Sequence, residues 1–103
     1  MFVSVVLDPG AVDSAKALAA ILSQYGFVKI QKACWEHSEF YEGQLSQLKK
    51  DMDRVSDFYD NIRIYQFPVK GCLAITEMKK KKWKRCVMQP NDNQADTKKI
   101  KDK

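Results

Sequence analysis

The sequence is poor in the residues from which many metal and catalytic sites are built. It has a single histidine, His37, and three widely spaced cysteines, so no Cys-x-x-Cys pair occurs. This composition argues against a structural zinc site within one chain. A single imidazole also cannot supply a pair of catalytic histidines, and the chain has neither a glycine-rich phosphate loop nor a nucleophile elbow.

Long apolar runs are missing as well. No stretch approaches the length of a membrane span, and the N-terminus lacks both the basic region and the long apolar core of a signal peptide. We expect Cys34, Cys72 and Cys86 to be free thiols in a reducing compartment. These features predict a cytoplasmic protein with no membrane partner.

The charges are divided unevenly along the chain, whose net charge is +5. Residues 1–78 hold eight Lys or Arg against ten Asp or Glu, whereas residues 79–103 hold ten Lys or Arg against three Asp. We therefore predict one domain over 1–78, a basic arm over 79–88 and a disordered tail over 89–103. Within the arm, residues 83–88 form either a short fifth strand or a segment that orders on a partner.

Residues 1–78 show the periodicities of alternating strands and helices. The apolar, β-branched run 2–7 suits a buried central strand, and it ends at Asp8. Apolar residues at helical spacing predict a helix over 11–25, and a stripe over 41–55 predicts a second helix with Ser38 as its N-cap. Further strands are expected over 27–36, 62–67 and 72–78.

We interpret these elements as a strand-helix-strand-strand-helix-strand order. That order predicts an α+β, ferredoxin-like βαββαβ fold, in which a four-stranded antiparallel sheet carries two helices on one face. Because residues 2–7 are apolar on both faces except at Ser4, both faces of this strand should be covered. The helices cover one face, and a second copy of the chain is the simplest cover for the other, which predicts a sheet-to-sheet homodimer.

Three segments in a fixed order carry a family resemblance that spans residues 1–78. They are the apolar strand ending at Asp8, the residues Tyr25-Gly26-Phe27-Val28 leading into Gln31-Lys32-Ala33-Cys34-Trp35-Glu36, and the run Asp60-Asn61-Ile62-Arg63-Ile64-Tyr65. Together they resemble the CRISPR-associated Cas two proteins, the small subunit of the spacer-acquisition machinery. Leu7 and Pro9 depart from the aromatic and aliphatic residues that usually flank the acid in that family.

The resemblance implies a homodimer that works with a CRISPR integrase subunit on RNA or duplex DNA. In the family, the acid that corresponds to Asp8 lies near the dimer axis in each subunit. The resemblance therefore implies that Asp8 is a metal ligand and a catalytic residue, and that the pair holds one Mg²⁺ that activates water for phosphodiester cleavage. Family members also act as scaffolds that bridge integrase dimers and support the protospacer without cutting it.

The basic arm begins with six cations in the seven residues 79–85. Such a run attracts phosphates whatever the base sequence. Trp83 within it either stacks on a base or fixes the arm to the body of the protein. With cations on or next to the strands added, the candidate nucleic-acid-binding residues are Lys32, Arg63, Lys79, Lys80, Lys81, Lys82, Lys84 and Arg85.

Three functions stay open at this point. A spacer-acquisition scaffold predicts salt-sensitive DNA binding that survives the loss of Asp8. A metal-dependent endonuclease acting on RNA or DNA predicts Mg²⁺-dependent cleavage that is lost in Asp8→Ala. The third function is that of a ferredoxin-like toxin or regulatory dimer unrelated to CRISPR. Because a fold alone does not separate these functions, the gene neighbourhood is informative: the absence of an integrase gene and a repeat array would favour this third function.

Overall fold

The computed structural model describes residues 1–88 as an α+β structure with one antiparallel sheet and two helices. The helices are α1 (Val12–Gln24) and α2 (Leu45–Val55), and neither is long and apolar enough to cross a membrane. The strands are β1 (Phe2–Asp8), β2 (Val28–Gln31), β3 (Cys34–His37), β4 (Asn61–Val69), β5 (Cys72–Lys79) and β6 (Lys82–Met88). They lie in the order β2-β3-β1-β4-β5-β6. The tail predicted over 89–103 falls outside the described residues.

The predicted four-stranded ferredoxin-like sheet is wrong, because the sheet has six strands in the order given above. Residues 27–36 do not form a single strand. The chain turns at Lys32 and Ala33, so β2 folds back and pairs with β3. At the other side of the sheet, β6 pairs with β5 along its whole length, from Leu73–Met88 to Lys79–Lys82. Residues 83–88, for which the sequence allows either a short strand or a segment that orders on a partner, thus belong to a strand.

The second helix begins later than the sequence predicts. Ser38 does not cap it, and a short 3-10 turn over Glu42–Gln44 leads into α2 at Leu45. The reason lies at Phe40, whose amide donates to the carbonyl of Met1 (2.7 Å) and whose carbonyl accepts from the Met1 amino group (2.9 Å). Phe40 is buried, and these bonds hold it beside Met1, so the chain forms a turn at residues 38–39 and enters the helix only after Tyr41.

Both helices pack on one face of the sheet. Alternate residues of β1 point into this layer, as the period-two rule for strands requires. The side chain of Tyr25 donates to Asp51 Oδ2 (2.6 Å) and so joins the end of α1 to α2. The buried core of this layer includes Val3, Val5, Leu7, Leu18, Leu22, Leu48, Met52, Ile62, Ile64 and Met78.

No element of residues 1–88 covers the opposite face of the sheet. Phe2, Val6 and Phe67 are 38%, 36% and 46% exposed there. Arg63 on β4 and Glu77 on β5 form an ion pair across this face at 3.1 Å. The expectation that both faces of β1 are covered thus holds for only one face of a single chain, and the second copy stays a prediction.

Candidate nucleic-acid interface

One edge of the sheet gathers the predicted site residues. Strands β1 and β5 end at this edge, and strands β4 and β6 begin there. Asp8, the last residue of β1, therefore lies opposite Asn61, the first residue of β4, and the β5–β6 turn lies at the same edge. The β2–β3 turn that contains Lys32 reaches the same edge, where the carbonyl of Ala33 accepts from the amide of Leu7 (2.9 Å). We call this edge, made of Lys32, Asp8, residues 57–61 and residues 79–84, the basic edge.

Asp8 is exposed at the centre of the basic edge. It borders a shallow depression of about 170 Å³ whose lining includes Asn61, Arg63, Glu77 and Lys79. Arg63 is already engaged there by Glu77. A phosphate at this depression would therefore meet Lys79 as its available cation, with the carboxylate of Asp8 close by.

The buried carboxylate of Asp60 holds together the two loops that flank Asp8. Its Oδ1 accepts from the amide of Gly10 (2.7 Å), and its Oδ2 accepts from the amide of Asp57 (2.7 Å). Burial opposes the charge on Asp60, but these bonds and one from the Ser14 hydroxyl outweigh it and hold the pKa of Asp60 below its ordinary value. The β1–α1 loop and the α2–β4 loop are thereby fixed against each other.

The two loops approach so closely that only glycine fits at position 10. A Cβ on Gly10 would lie 2.6 Å from the Cβ of Tyr59 and 2.8 Å from its carbonyl oxygen. This contact sets the position of Tyr59, and with it that of the neighbouring Phe58. Gly10, which follows the departure from the family pattern at Pro9, thus serves the packing of this edge.

The β5–β6 turn is tight and consists of lysines. Lys80 and Lys81 have φ angles of 55° and 62°, in the left-handed region that asparagine and glycine favour in two-residue hairpins. For a lysine this conformation costs about 1–2 kcal/mol per residue. Contacts elsewhere must offset that cost.

Those contacts are made with the end of α2. The Lys81 ammonium donates to the backbone carbonyls of Asp53 (2.6 Å) and Ser56 (3.2 Å) and forms an ion pair with Asp53 Oδ1 (3.1 Å). A cation at this position also complements the negative end of the helix dipole. Lys81, predicted as a phosphate ligand, is thus occupied within the chain.

Trp83 makes the second contact between the hairpin and α2. Its indole N–H donates to Asp53 Oδ1 (2.9 Å), and the Lys49 ammonium lies 5.3 Å from the ring centroid. The hydrogen bond from Trp83 and the Lys81 ammonium lower the pKa of Asp53, whereas burial raises it. The lowering is the larger effect, so the pKa of Asp53 lies below its ordinary value. Of the two roles open for Trp83 on sequence grounds, the structure shows the one in which it fixes the arm to the body.

The remaining lysines of the turn stay available. Lys79, Lys80, Lys82 and Lys84 line a second depression with Phe58, Trp83 and Glu77, and none of the four forms an ion pair within residues 1–88. Arg85 lies further along β6, opposite Thr76. The structure therefore brings Lys32 and the hairpin lysines to one edge. Two of the predicted ligands there are already paired within the chain, Lys81 with Asp53 and Arg63 with Glu77.

The donors for a metal at the basic edge are few. Residues 1–88 contain no group of three or more His, Cys, Asp or Glu side chains arranged to hold a metal ion. Among the described residues, the oxygen-bearing side chains that share the depression with Asp8 are Asn61 and Glu77, and Glu77 is paired with Arg63. Since Mg²⁺ commonly binds one or two carboxylates, several waters and substrate phosphates, this set fits the ion only when phosphate or a second carboxylate comes from outside the chain.

Comparison of the chain with protein-family models, curated proteins and solved structures gives no match. The resemblance to the Cas two family therefore rests on the sequence motifs alone.

Sequence reasoning missed the two acids that organise this edge. From the sequence, Asp60 stands out only as the first residue of the run 60–65, and Asp53 does not stand out at all. The spacing Asp57-x-x-Asp60 ahead of a strand carried a hint, because Asp side chains often accept from backbone amides nearby. Nothing local pointed to Asp53, whose partner Trp83 lies 30 residues away.

We predict that Asp60→Ala lowers the free energy of unfolding by about 2–4 kcal/mol at neutral pH, since it leaves two backbone amides without their charged acceptor. The folded-state pKa of Asp60 is lowered, so its contribution is complete above the unfolded value of about 4 and is lost as the pH falls through the folded value. Urea unfolding measured from pH 7 to pH 3 should show the gap between wild type and variant closing below about pH 4.

The matched control is Asp57→Ala in the same loop, because the Asp57 carboxylate accepts an exposed bond from the Tyr59 amide. It should lose less stability than Asp60→Ala. Equal losses in the two variants, or a gap that stays constant with pH, would contradict the role assigned to Asp60.

Proposed function

We propose that the protein binds nucleic acid through phosphates at the basic edge and acts as a scaffold in CRISPR spacer acquisition. The observation that carries the proposal is the docked hairpin: Asp53 fixes Lys81 and Trp83, so the neighbouring lysines stand in a defined array. A defined array of cations binds phosphates with a smaller loss of side-chain and backbone freedom than a flexible arm does.

The chemistry of this array suits the backbone of a nucleic acid and gives no base-specific contacts. Lysine ammonium groups act as point charges toward phosphate, whereas base identity is commonly recognised by bidentate Arg, Asn or Gln side chains. The single arginine near the centre of the edge, Arg63, is engaged by Glu77. We therefore propose binding that is independent of sequence and strongly dependent on salt.

The partners in this proposal are a second copy of the chain and a CRISPR integrase subunit. The exposed Phe2, Val6 and Phe67 support the second copy, because large apolar side chains grouped on one surface are typical of interfaces. The integrase and the duplex protospacer come from the family resemblance. A cytoplasmic location agrees with the three free thiols at Cys34, Cys72 and Cys86.

The lysines of the turn provide a matched test. In Lys80→Met and Lys82→Met, the affinity for duplex DNA should fall, and the slope of log K against log salt should decrease by about one for each lysine removed. Lys81→Met should instead lower the melting temperature, because it removes the contacts to α2, and should change the slope less. Fluorescence anisotropy over a salt series, with thermal unfolding of each variant, measures both effects. Unchanged slopes in the first two variants would overturn the proposal.

A metal-dependent nuclease is the second candidate, and the exposed position of Asp8 beside Lys79 favours it. In that function Asp8 would hold Mg²⁺ and Lys79 would bind the phosphate next to the scissile bond. The Mg²⁺ would lower the pKa of a bound water and so generate the nucleophile. The scarcity of ligands around Asp8 within residues 1–88 makes the scaffold the better supported of the two.

Cleavage of single-stranded RNA and duplex DNA separates these two candidates. Wild type and Asp8→Ala, purified by one route, are incubated with each substrate in Mg²⁺ and in EDTA. The scaffold predicts no metal-dependent cutting by wild type and DNA binding that survives in Asp8→Ala. Mg²⁺-dependent cutting that disappears in Asp8→Ala would establish the nuclease instead, and equal cutting by both would identify a contaminant.

A further inference from the structure

We propose that Phe58 and the hairpin lysines form a site for an unpaired nucleotide at the end of a nucleic-acid strand. This inference rests on the proposed function and adds the form of nucleic acid that the basic edge prefers. The depression between the α2–β4 loop and the hairpin has a volume of about 700 Å³, within the range of small-ligand sites. Its lining combines one exposed aromatic ring with several ammonium groups.

Phe58 does not belong to the buried core, so packing in the core does not explain why an aromatic residue stands at this position. Its side chain is 52% exposed, and the ring packs edge to face on the exposed Tyr59, with centroids 5.4 Å apart and planes at 83°. The loop that carries it is fixed, because Asp60 binds the Asp57 amide and Asp57 binds the Tyr59 amide (2.9 Å). An apolar ring held toward solvent on an ordered loop is suited to stacking with a planar group from outside.

The charge around Phe58 selects an anion. Lys79, Lys80, Lys82 and Lys84 line the same depression, and the one carboxylate in its lining, Glu77, is paired with Arg63 at 3.1 Å. The Asp53 carboxylate nearby is occupied by Lys81 and Trp83. A ligand with a flat apolar face and a phosphate attached to it matches this combination, and a nucleotide within a strand is such a ligand.

The ring also selects the unpaired state of the nucleotide. In a duplex the faces of interior bases are already stacked on their neighbours, so only a base that has left the stack, or lies in a single strand, offers a face to Phe58. Contacts to the phosphates of a continuous duplex do not require an aromatic side chain. The presence of Phe58 among the lysines therefore points to a strand end or overhang.

The test compares a blunt duplex with the same duplex carrying a short thymidine overhang, by fluorescence anisotropy at fixed salt. Wild type should bind the overhang duplex more tightly by about 5- to 150-fold, which is the effect of stacking one base on an aromatic ring. Phe58→Leu keeps an apolar side chain and should lose this preference while binding the blunt duplex as wild type does. Phe58→Tyr should retain the preference.

Tyr59→Leu is the positional control, since Tyr59 is exposed beside Phe58 but does not line the depression. It should keep the preference for the overhang. The inference is overturned, with the proposed function intact, if wild type binds both duplexes equally or if Phe58→Leu keeps the preference. It is also overturned if Phe58→Leu weakens binding of both duplexes alike. If wild type binds neither duplex, the proposed function itself fails.

Discussion

The carboxylate of Asp53 joins the two parts of the molecule on which the functional proposal depends. It lies in the last turn of α2 and receives both the Trp83 indole N–H and the Lys81 ammonium from the β5–β6 hairpin. Without these contacts, the left-handed lysines of the turn would have no partner to offset their conformational cost. A lysine-rich segment that would extend into solvent by composition alone is thereby held as the outer hairpin of a six-stranded sheet.

Asp60 plays the corresponding part for the neighbouring loops. It fixes the loop after β1 to the loop before β4, and so sets where Asp8, Phe58 and Tyr59 stand relative to the sheet. Two acids, one for the hairpin and one for the loops, thus position a set of cations and one aromatic ring along the same edge. Lys81 is paired with Asp53, whereas the other lysines of the hairpin are available to bind a ligand.

The sequence predicts those parts of the fold that rest on local periodicity. The strand ending at Asp8 and the helix before Gly26 follow from apolar spacing and end signals, and the structure has both. The split of residues 27–36 and the late start of α2 depend on bonds between distant residues, such as Phe40 with Met1, which no local pattern reveals. At the site, the run of lysines was visible in the sequence, but its division into structural and available cations required the contacts to Asp53.

The most direct test of this account is an NMR titration of the uniformly ¹⁵N-labelled protein with duplex DNA. The account predicts shift changes concentrated at Lys79, Lys80 and Lys82, with smaller changes at Asp8 and in the loop over 57–60. The indole N–H resonance of Trp83 should stay close to its free position, because its bond to Asp53 persists in the complex. Changes centred on the uncovered face of the sheet or on α1, or a large shift of the Trp83 indole as the hairpin leaves α2, would contradict the account.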